Sequence, residues 1–278
     1  MEYIQTQFFN LESAVLSIAH SKVLVAKIAT IWLLMQGILF SISPNFVARM
    51  YGDKKKLSPS DEKLVRLTYL TMIMTGIHSF YTIIMNYDQK IPREISWAIF
   101  VLEDLISVYK DPDTRHLPPF MKFRVYASGF CMFFILKFFL DENFSYFVYL
   151  LKLGLPAFFS TEKAIEDHDE SIRRDSVTPL YMNRAGVVAS TFGSYGLALW
   201  WFSSIEKGEI LSLEKSIAAF GIFYATSTML HMINILFKRN FHKQFEELVK
   251  INWNLIYMDM VLDFIFAYLL LCRSLVKQ

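Results

Sequence analysis

The chain has 278 residues, of which 54% are hydrophobic, 16% aromatic and only 19% charged. The apolar residues fall in blocks of about 18 to 24, the length that crosses about 30 Å of hydrocarbon. Charged residues collect between the blocks, as they do in multi-pass membrane proteins. The net charge of +2 gives no basic footprint for a nucleic-acid partner, so none is expected.

The apolar blocks predict an all-α membrane bundle of about eight transmembrane helices built from two four-helix repeats. The predicted spans are 23–43, 64–86, 93–109, 122–140, 144–160, 181–203, 213–237 and 251–272. Pro44 and Pro156 mark the ends of the first and fifth blocks, and Arg66 and Arg184 stand where the next blocks open. These matching marks predict one repeat over residues 23–140 and a second over residues 141–278, related by an axis along the membrane normal.

The basic residues predict an orientation for the bundle. The connections after the first, third, fifth and seventh blocks are called here the odd-numbered loops. Counted with the basic residues at the start of the blocks that follow them (Arg66, Lys122, Arg124 and Arg184), they hold 18 of the 28 Lys and Arg residues. The positive-inside rule places these loops in the cytoplasm, or in the matrix of a mitochondrion, and both termini on the opposite side. Residues 1–22 contain Glu2 and Glu12 and no Arg, unlike a presequence, and are predicted to form an N-terminal interfacial or docking segment.

Two acidic residues share one face of the eighth predicted helix. Asp259 and Asp263 are one turn apart, and a charge at the centre of a bilayer costs at least about 2.5 kcal/mol, so each carboxylate needs an explanation. Together they could relay protons, coordinate a cation or bind a basic partner. The alternative is a structural role, in which they pair with His231, Asn254 or an Arg of another subunit.

Polar residues also interrupt the second, third and seventh predicted helices. His231 and Asn234 lie three apart on the seventh helix, where its repeat counterpart, the third helix, carries Glu103 and Asp104. Polar groups that face each other at matching depths predict either a pocket at the repeat axis or a polar contact that holds the two halves in register. The adjacent Glu103 and Asp104 point about 100° apart, so they cannot both face one small site. His78 stands alone, and such a residue more often bonds a neighbour than a ligand.

Familiar catalytic and cofactor motifs are absent from the sequence. It has no His-x-x-x-His box, no Gly-x-x-x-x-Gly-Lys-Ser/Thr phosphate loop, no Gly-x-Ser-x-Gly and no His-Glu-x-x-His. Cys131 and Cys272 each lie in an apolar block, without the spacing of a disulfide framework or a zinc site. We therefore predict no catalytic residue, no cofactor and no metal site, and structural phospholipids as the bound molecules.

One short motif resembles a known family. The run Pro-x-x-x-Ala-x-x-Tyr-Gly at 44–52, followed by Arg66 opening a helix, resembles small four-helix DoxX-like membrane domains. The second half of the chain keeps only Pro156 and Arg184 of this pattern. The resemblance implies a topology, and since those domains share no common reaction, it implies no function.

The preferred functional hypothesis is a non-catalytic accessory subunit of a larger membrane complex. Its partners would be membrane lipids and other membrane-protein subunits, and the mitochondrial inner membrane, with a complex of respiratory-chain or ATP-synthase type, is its predicted place. Small residues of the sixth helix (Gly186, Gly193 and Gly196) favour close, rigid packing. The alternatives are a small-molecule or proton-coupled carrier, which the low count of 10 Gly disfavours, and a lipid- or sterol-modifying enzyme using intramembrane Asp, Glu and His.

Overall fold

The computed structural model describes residues 22–52, 57–87, 142–167, 178–206, 211–238 and 251–271, with the single positions 95 and 243. Every regular element within these ranges is helical. The helices are α1 (Lys22–Ile42), α2 (Pro44–Tyr51), α3 (Pro59–Ser79), α4 (Glu142–Phe159), α5 (Thr161–Asp167), α6 (Thr178–Glu206), α7 (Leu213–Phe237) and α8 (Trp253–Leu271). A π-helical turn, Phe80–Ile84, continues α3.

Four helical segments are long and apolar enough to cross a membrane. They are Lys22–Ile42, Leu64–Ile84, Leu213–Phe237 and Trp253–Leu271. Each agrees with a predicted span to within about two residues at either end, because an unbroken apolar run is itself the signal for a membrane helix. The chain is therefore compatible with an integral membrane protein. Apart from Ile95, the predicted spans 93–109 and 122–140 and the N-terminal residues 1–21 lie outside the described residues.

The predicted spans 144–160 and 181–203 form helices but are not among those four. In helix α4 the apolar stretch found among the fully described residues is Leu150–Phe159, which is shorter than a membrane span. Helix α6 is 29 residues long, yet Ser, Thr, Asn and Tyr along its length lower its hydropathy. It packs against α3, α4 and α7 and is buried for most of its length, so neighbouring helices rather than lipid surround it. The predicted count of eight spans is therefore not confirmed.

Residues with known preferences for helix ends stand at both ends of α2 and at the start of α3. Pro44 occupies the first turn of α2, and Gly52 ends this helix with a φ of 117°, a left-handed conformation that glycine adopts without strain. Helix α3 begins after Ser58, whose Oγ accepts a hydrogen bond from the backbone N–H of Asp61 at 3.2 Å. Pro59 follows this cap, as is common at the first helical position. A short helix therefore separates the two long ones.

The second half of the chain repeats this order of a long, a short and a long helix. In α5, Lys163 is exposed while Ala164 and Ile165 are buried, so this helix lies on the bundle with one face. The long helices α4 and α6 approach so closely that a Cβ on Gly186 would lie 2.5 Å from the backbone nitrogen of Phe158. The shared order agrees with a duplication in these parts, but the two full four-helix repeats are not confirmed.

Aromatic rings of α6 and α7 form the centre of the core. Phe192, Tyr195, Phe220, Phe223 and Tyr224 make edge-on and stacked contacts with ring centroids 5.0 to 6.3 Å apart. Such pairs contribute about 0.5–1.5 kcal/mol each beyond the burial of their area. The hydroxyl of Tyr224 also donates to the carbonyl oxygen of Ala29 at 3.2 Å, which ties α7 to α1.

Contacts between helix ends show which ends share one side of the bundle. The side chain of Lys238, just after α7, donates to the carbonyl oxygen of Phe158 near the end of α4. The backbone N–H of Asn252, just before α8, donates to the carbonyl oxygen of Tyr51 at 2.9 Å. These ends border the odd-numbered loops 44–63, 161–179 and 238–250, so we call this side the basic-loop end. The sequence predicted that these loops lie together.

Apolar side chains cover the outer faces of α1 and α8. Met35 and Leu39 are exposed on α1, and Phe264 and Tyr268 on α8. Faces of this kind are suited to lipid tails or to the helices of another membrane protein.

Candidate functional site

A cavity of about 140 Å³ lies between six helices in the half of the bundle nearest the basic-loop end. Its lining comes from the later parts of α1, α2 and α7 and from the earlier parts of α3, α6 and α8. Much of the wall is aromatic: Trp32, Tyr69, Phe223, Tyr224 and Trp253 all line it. Polar side chains interrupt this wall in two groups, one around Asp259 and one on α7.

Both acidic residues of α8 line the cavity and accept a hydrogen bond from a hydroxyl group. The hydroxyl of Tyr51 donates to Asp259 Oδ2 at 2.6 Å. The hydroxyl of Ser227 donates to Asp263 Oδ2 at 2.6 Å. The four-residue spacing along α8 puts the two carboxylates one turn apart on the same wall. The hydroxyl partners come from α2 and α7, so three separate helices build this wall.

Arg184 places a permanent positive charge beside the Tyr51–Asp259 pair. Its Cζ lies 4.4 Å from the centroid of the Tyr51 ring and 6.0 Å from that of Tyr181. A guanidinium over an aromatic face is attracted by the negative face of the ring. Burial, followed by the charges of Tyr69 and Asp259, raises the pKa of Tyr51 well above its ordinary value. The phenol therefore keeps its proton and acts as the donor to Asp259.

Two polar side chains of α7, His231 and Asn234, line the same cavity. Asn234 is only 7% exposed, and its side-chain N–H donates to Asn183 Oδ1 at 3.0 Å. Asn183 in turn donates to the carbonyl oxygen of Phe158 at 3.2 Å, which links α7, α6 and α4. The Oδ1 of Asn234 has no hydrogen-bond donor within the part of the chain that the structure describes. Asn234 thus fastens two helices and leaves a buried acceptor at the cavity.

The other predicted site residues fall elsewhere. His78 is buried on α3 with its ring centroid 5.8 Å from that of Phe192, and it does not line the cavity. Glu103 and Asp104 lie outside the described residues. Asn254, predicted as a possible partner of the acidic pair, is exposed. The hydroxyl partners of Asp259 and Asp263, and the nearby guanidinium, belong to the same chain, and pairing with an Arg of another subunit stays a prediction.

Three residues of this site were not predicted as site residues. Tyr51 belongs to the motif at 44–52, and Arg184 is one of the residues used to predict the repeat. Both residues were interpreted only as evidence of the helix topology. An Arg inside the start of an apolar block itself indicates a polar site within the bundle, because such a charge needs a carboxylate or an aromatic partner. Ser227 carried no comparable signal, since single Ser residues are common in membrane helices.

The arrangement suits the binding of a charged or hydrogen-bonding group and the transfer of protons. Carboxylates that face a cavity can take up and release a proton, and the guanidinium can hold an anionic group. Among the residues that the structure describes, no three His, Cys, Asp or Glu side chains lie close enough together to hold a metal ion.

Comparison with known proteins assigns no family to this chain. No protein-family model matches it, and no curated protein and no solved structure matches it either. The motif at 44–52 therefore remains a local resemblance to DoxX-like domains, and the function has to be argued from the cavity.

Proposed function

We propose that this chain is an integral membrane protein that binds a small molecule in the cavity and works as a proton-coupled carrier. One observation supports this most: Arg184, Asp259 and Asp263 converge on one cavity inside a bundle of apolar helices. Ionisable side chains within membrane helices are costly, and where they face a cavity they usually mark a ligand or ion pathway. The wide aromatic wall would hold the apolar part of the bound molecule.

The carboxylates offer a simple means of coupling. Each accepts one hydroxyl hydrogen bond and has further lone pairs for a proton or for a donor group of the ligand. Binding a proton removes the negative charge that attracts a donor, so proton and ligand would compete for the same oxygens. The position of the cavity near the basic-loop end makes that side the expected entrance.

Neutralising one carboxylate should abolish transport. The full chain would be purified in mild detergent, and the small molecules that remain bound would be identified by mass spectrometry. The identified molecule is then offered to proteoliposomes under an imposed pH gradient. We expect uptake with the wild type and none with Asp259→Asn, because the amide cannot exchange a proton. Glu214→Gln, the same chemical change at an exposed position of α7, is the matched control and should transport normally.

Two results would contradict the carrier proposal. One is uptake by Asp259→Asn that equals that of the wild type. The other is a wild-type protein that carries no bound molecule and transports none under any gradient. A bound lipid or sterol that emerges chemically altered would instead favour a modifying enzyme, with His231 or a carboxylate within about 3–4 Å of the reacting carbon.

A second proposal is a non-catalytic accessory subunit that carries structural phospholipids. The exposed apolar faces of α1 and α8 support it, because they offer long surfaces to lipids or to other subunits. The mitochondrial inner membrane stays the place proposed for such a subunit; the basic residues of the odd-numbered loops would then face the matrix. Native purification decides this: co-migration with a large stoichiometric assembly supports the subunit, and elution alone or as a homodimer contradicts it.

A further inference from the structure

We propose that the ligand of the cavity is a small organic cation with a single ammonium group, held by the carboxylates of Asp259 and Asp263 and surrounded by aromatic side chains. This inference rests on the proposed binding function and names the class of molecule that the site selects. Charge, hydrogen-bonding capacity and shape of the cavity each lead to it separately.

The charges that line the cavity are unequal. Among the described lining residues, Arg184 is the one side chain that is always positively charged, whereas Asp259 and Asp263 supply two carboxylates. A carboxylate inside a membrane bundle needs a positive partner or a proton. With both carboxylates ionised, the cavity carries one negative charge more than Arg184 balances, and a monovalent cation would complete the balance.

The hydrogen-bonding groups are also unequal, with acceptors in excess. Ionised carboxylates offer about four acceptor positions each, and Tyr51 and Ser227 fill one apiece. Asn234 adds a further acceptor, because its Oδ1 is buried and no described group donates to it. An unfilled buried acceptor of this kind is destabilising, so a ligand rich in donors would gain most here. An ammonium group has donors and no acceptors.

The wall and the size of the cavity select an organic cation over a metal ion. Aromatic faces attract cations, and quaternary and other ammonium groups are bound in proteins by cages of such rings. Ca²⁺ and Mg²⁺ instead require several oxygen ligands at short range. The cavity volume is about 140 Å³, whereas about 10–15 Å³ on the same measure holds one water molecule. There is consequently room for a molecule with an apolar body.

The test compares a cation with its uncharged counterpart. The full chain in detergent is titrated with benzylamine, with benzyl alcohol, and with sodium chloride at matched ionic strength, and the thermal unfolding midpoint and the dissociation constant are measured. We expect benzylamine to bind and raise the midpoint, and the alcohol and the salt to have little effect. Asp263→Asn should weaken benzylamine binding at least about tenfold, which corresponds to about 1.4 kcal/mol. Glu214→Gln should bind as the wild type does.

A second variant keeps the test decisive if the first variant misfolds. If Asp263→Asn does not elute as a single species, Asp259→Asn serves in its place and should also weaken benzylamine binding about tenfold or more. Equal binding of benzyl alcohol and benzylamine, equal stabilisation by sodium chloride, or full benzylamine affinity in the folded Asn variant would each overturn the inference. A neutral or anionic molecule found bound to the wild type would overturn it too, while leaving the proposed binding function intact.

Discussion

Replacement of Gly186 by alanine is expected to lower the free energy of unfolding by about 2 kcal/mol and to abolish ligand binding. The added Cβ would lie 2.5 Å from the backbone nitrogen of Phe158, 2.8 Å from the carbonyl carbon of Ala157 and 2.9 Å from the carbonyl oxygen of Gly154. Backbone atoms cannot rotate aside, so α4 and α6 would have to separate. The gain in helix propensity, about 1 kcal/mol, would not offset this. The beginning of α6 would move, and Arg184 with it.

Gly221→Ala is the matched control for this change. Its Cβ would meet Cγ and Cδ2 of Leu271 at 2.7 and 2.8 Å and Cβ of Leu270 at 3.2 Å, which are side-chain atoms, and the two shortest contacts are to atoms that a rotamer change can move. Leu271 is the last residue of α8 and can change its rotamer, so this variant should remain within about 1 kcal/mol of the wild type. Thermal unfolding and size-exclusion profiles in one detergent would measure both proteins. Equal losses in the two variants would contradict the close backbone contact between α4 and α6.

Replacement of Arg184 by alanine is expected to destabilise the protein by about 2 kcal/mol and to leave benzylamine binding at least as tight as in the wild type, because both carboxylates would then lack a fixed positive charge. Removing one partner of a buried charge pair costs about 3–5 kcal/mol, and Arg184 is only partly buried, so we expect less. Asp259 would lose its neighbouring positive charge, and the ring of Tyr51 would lose the guanidinium that covers it. The measurements are the free energy of unfolding and the titration with benzylamine.

A double-mutant cycle tests whether this cost comes from the carboxylate. In Arg184→Ala combined with Asp259→Asn, the unbalanced charge is gone, so the double variant should be more stable than the sum of the single losses predicts. The coupling expected for such neighbours is about 0.5–3 kcal/mol. Arg184→Lys keeps the charge but not the planar group that stacks on Tyr51, so it should recover only part of the loss. Strictly additive losses would show that Arg184 acts through packing alone.

Hydropathy along the chain predicted the four apolar helices of membrane-spanning length well and the buried helix α6 poorly. The predicted span 213–237 coincides with helix α7, Leu213–Phe237. For α6 the position of the helix was predicted, but its classification as a membrane span was not confirmed. Its Asn183 donates to the carbonyl oxygen of Phe158 on α4 and its Ser194 to Thr226 on α7, so part of its polar surface is used in contacts between helices. The small residues of α6 did predict close packing correctly for Gly186, because a missing Cβ is a local property of the sequence.

The sequence alone determined where the four helices of membrane-spanning length lie, that Asp259 and Asp263 share a face, and which loops carry the basic residues. Those features depend on residues a few positions apart, so local spacing is enough to predict them. Only the tertiary structure decided which polar groups meet. The hydroxyl that bonds Asp259 belongs to Tyr51, 208 residues earlier in the chain, and Arg184 comes from a third helix. No local pattern encodes such partners, since packing of distant helices brings them together.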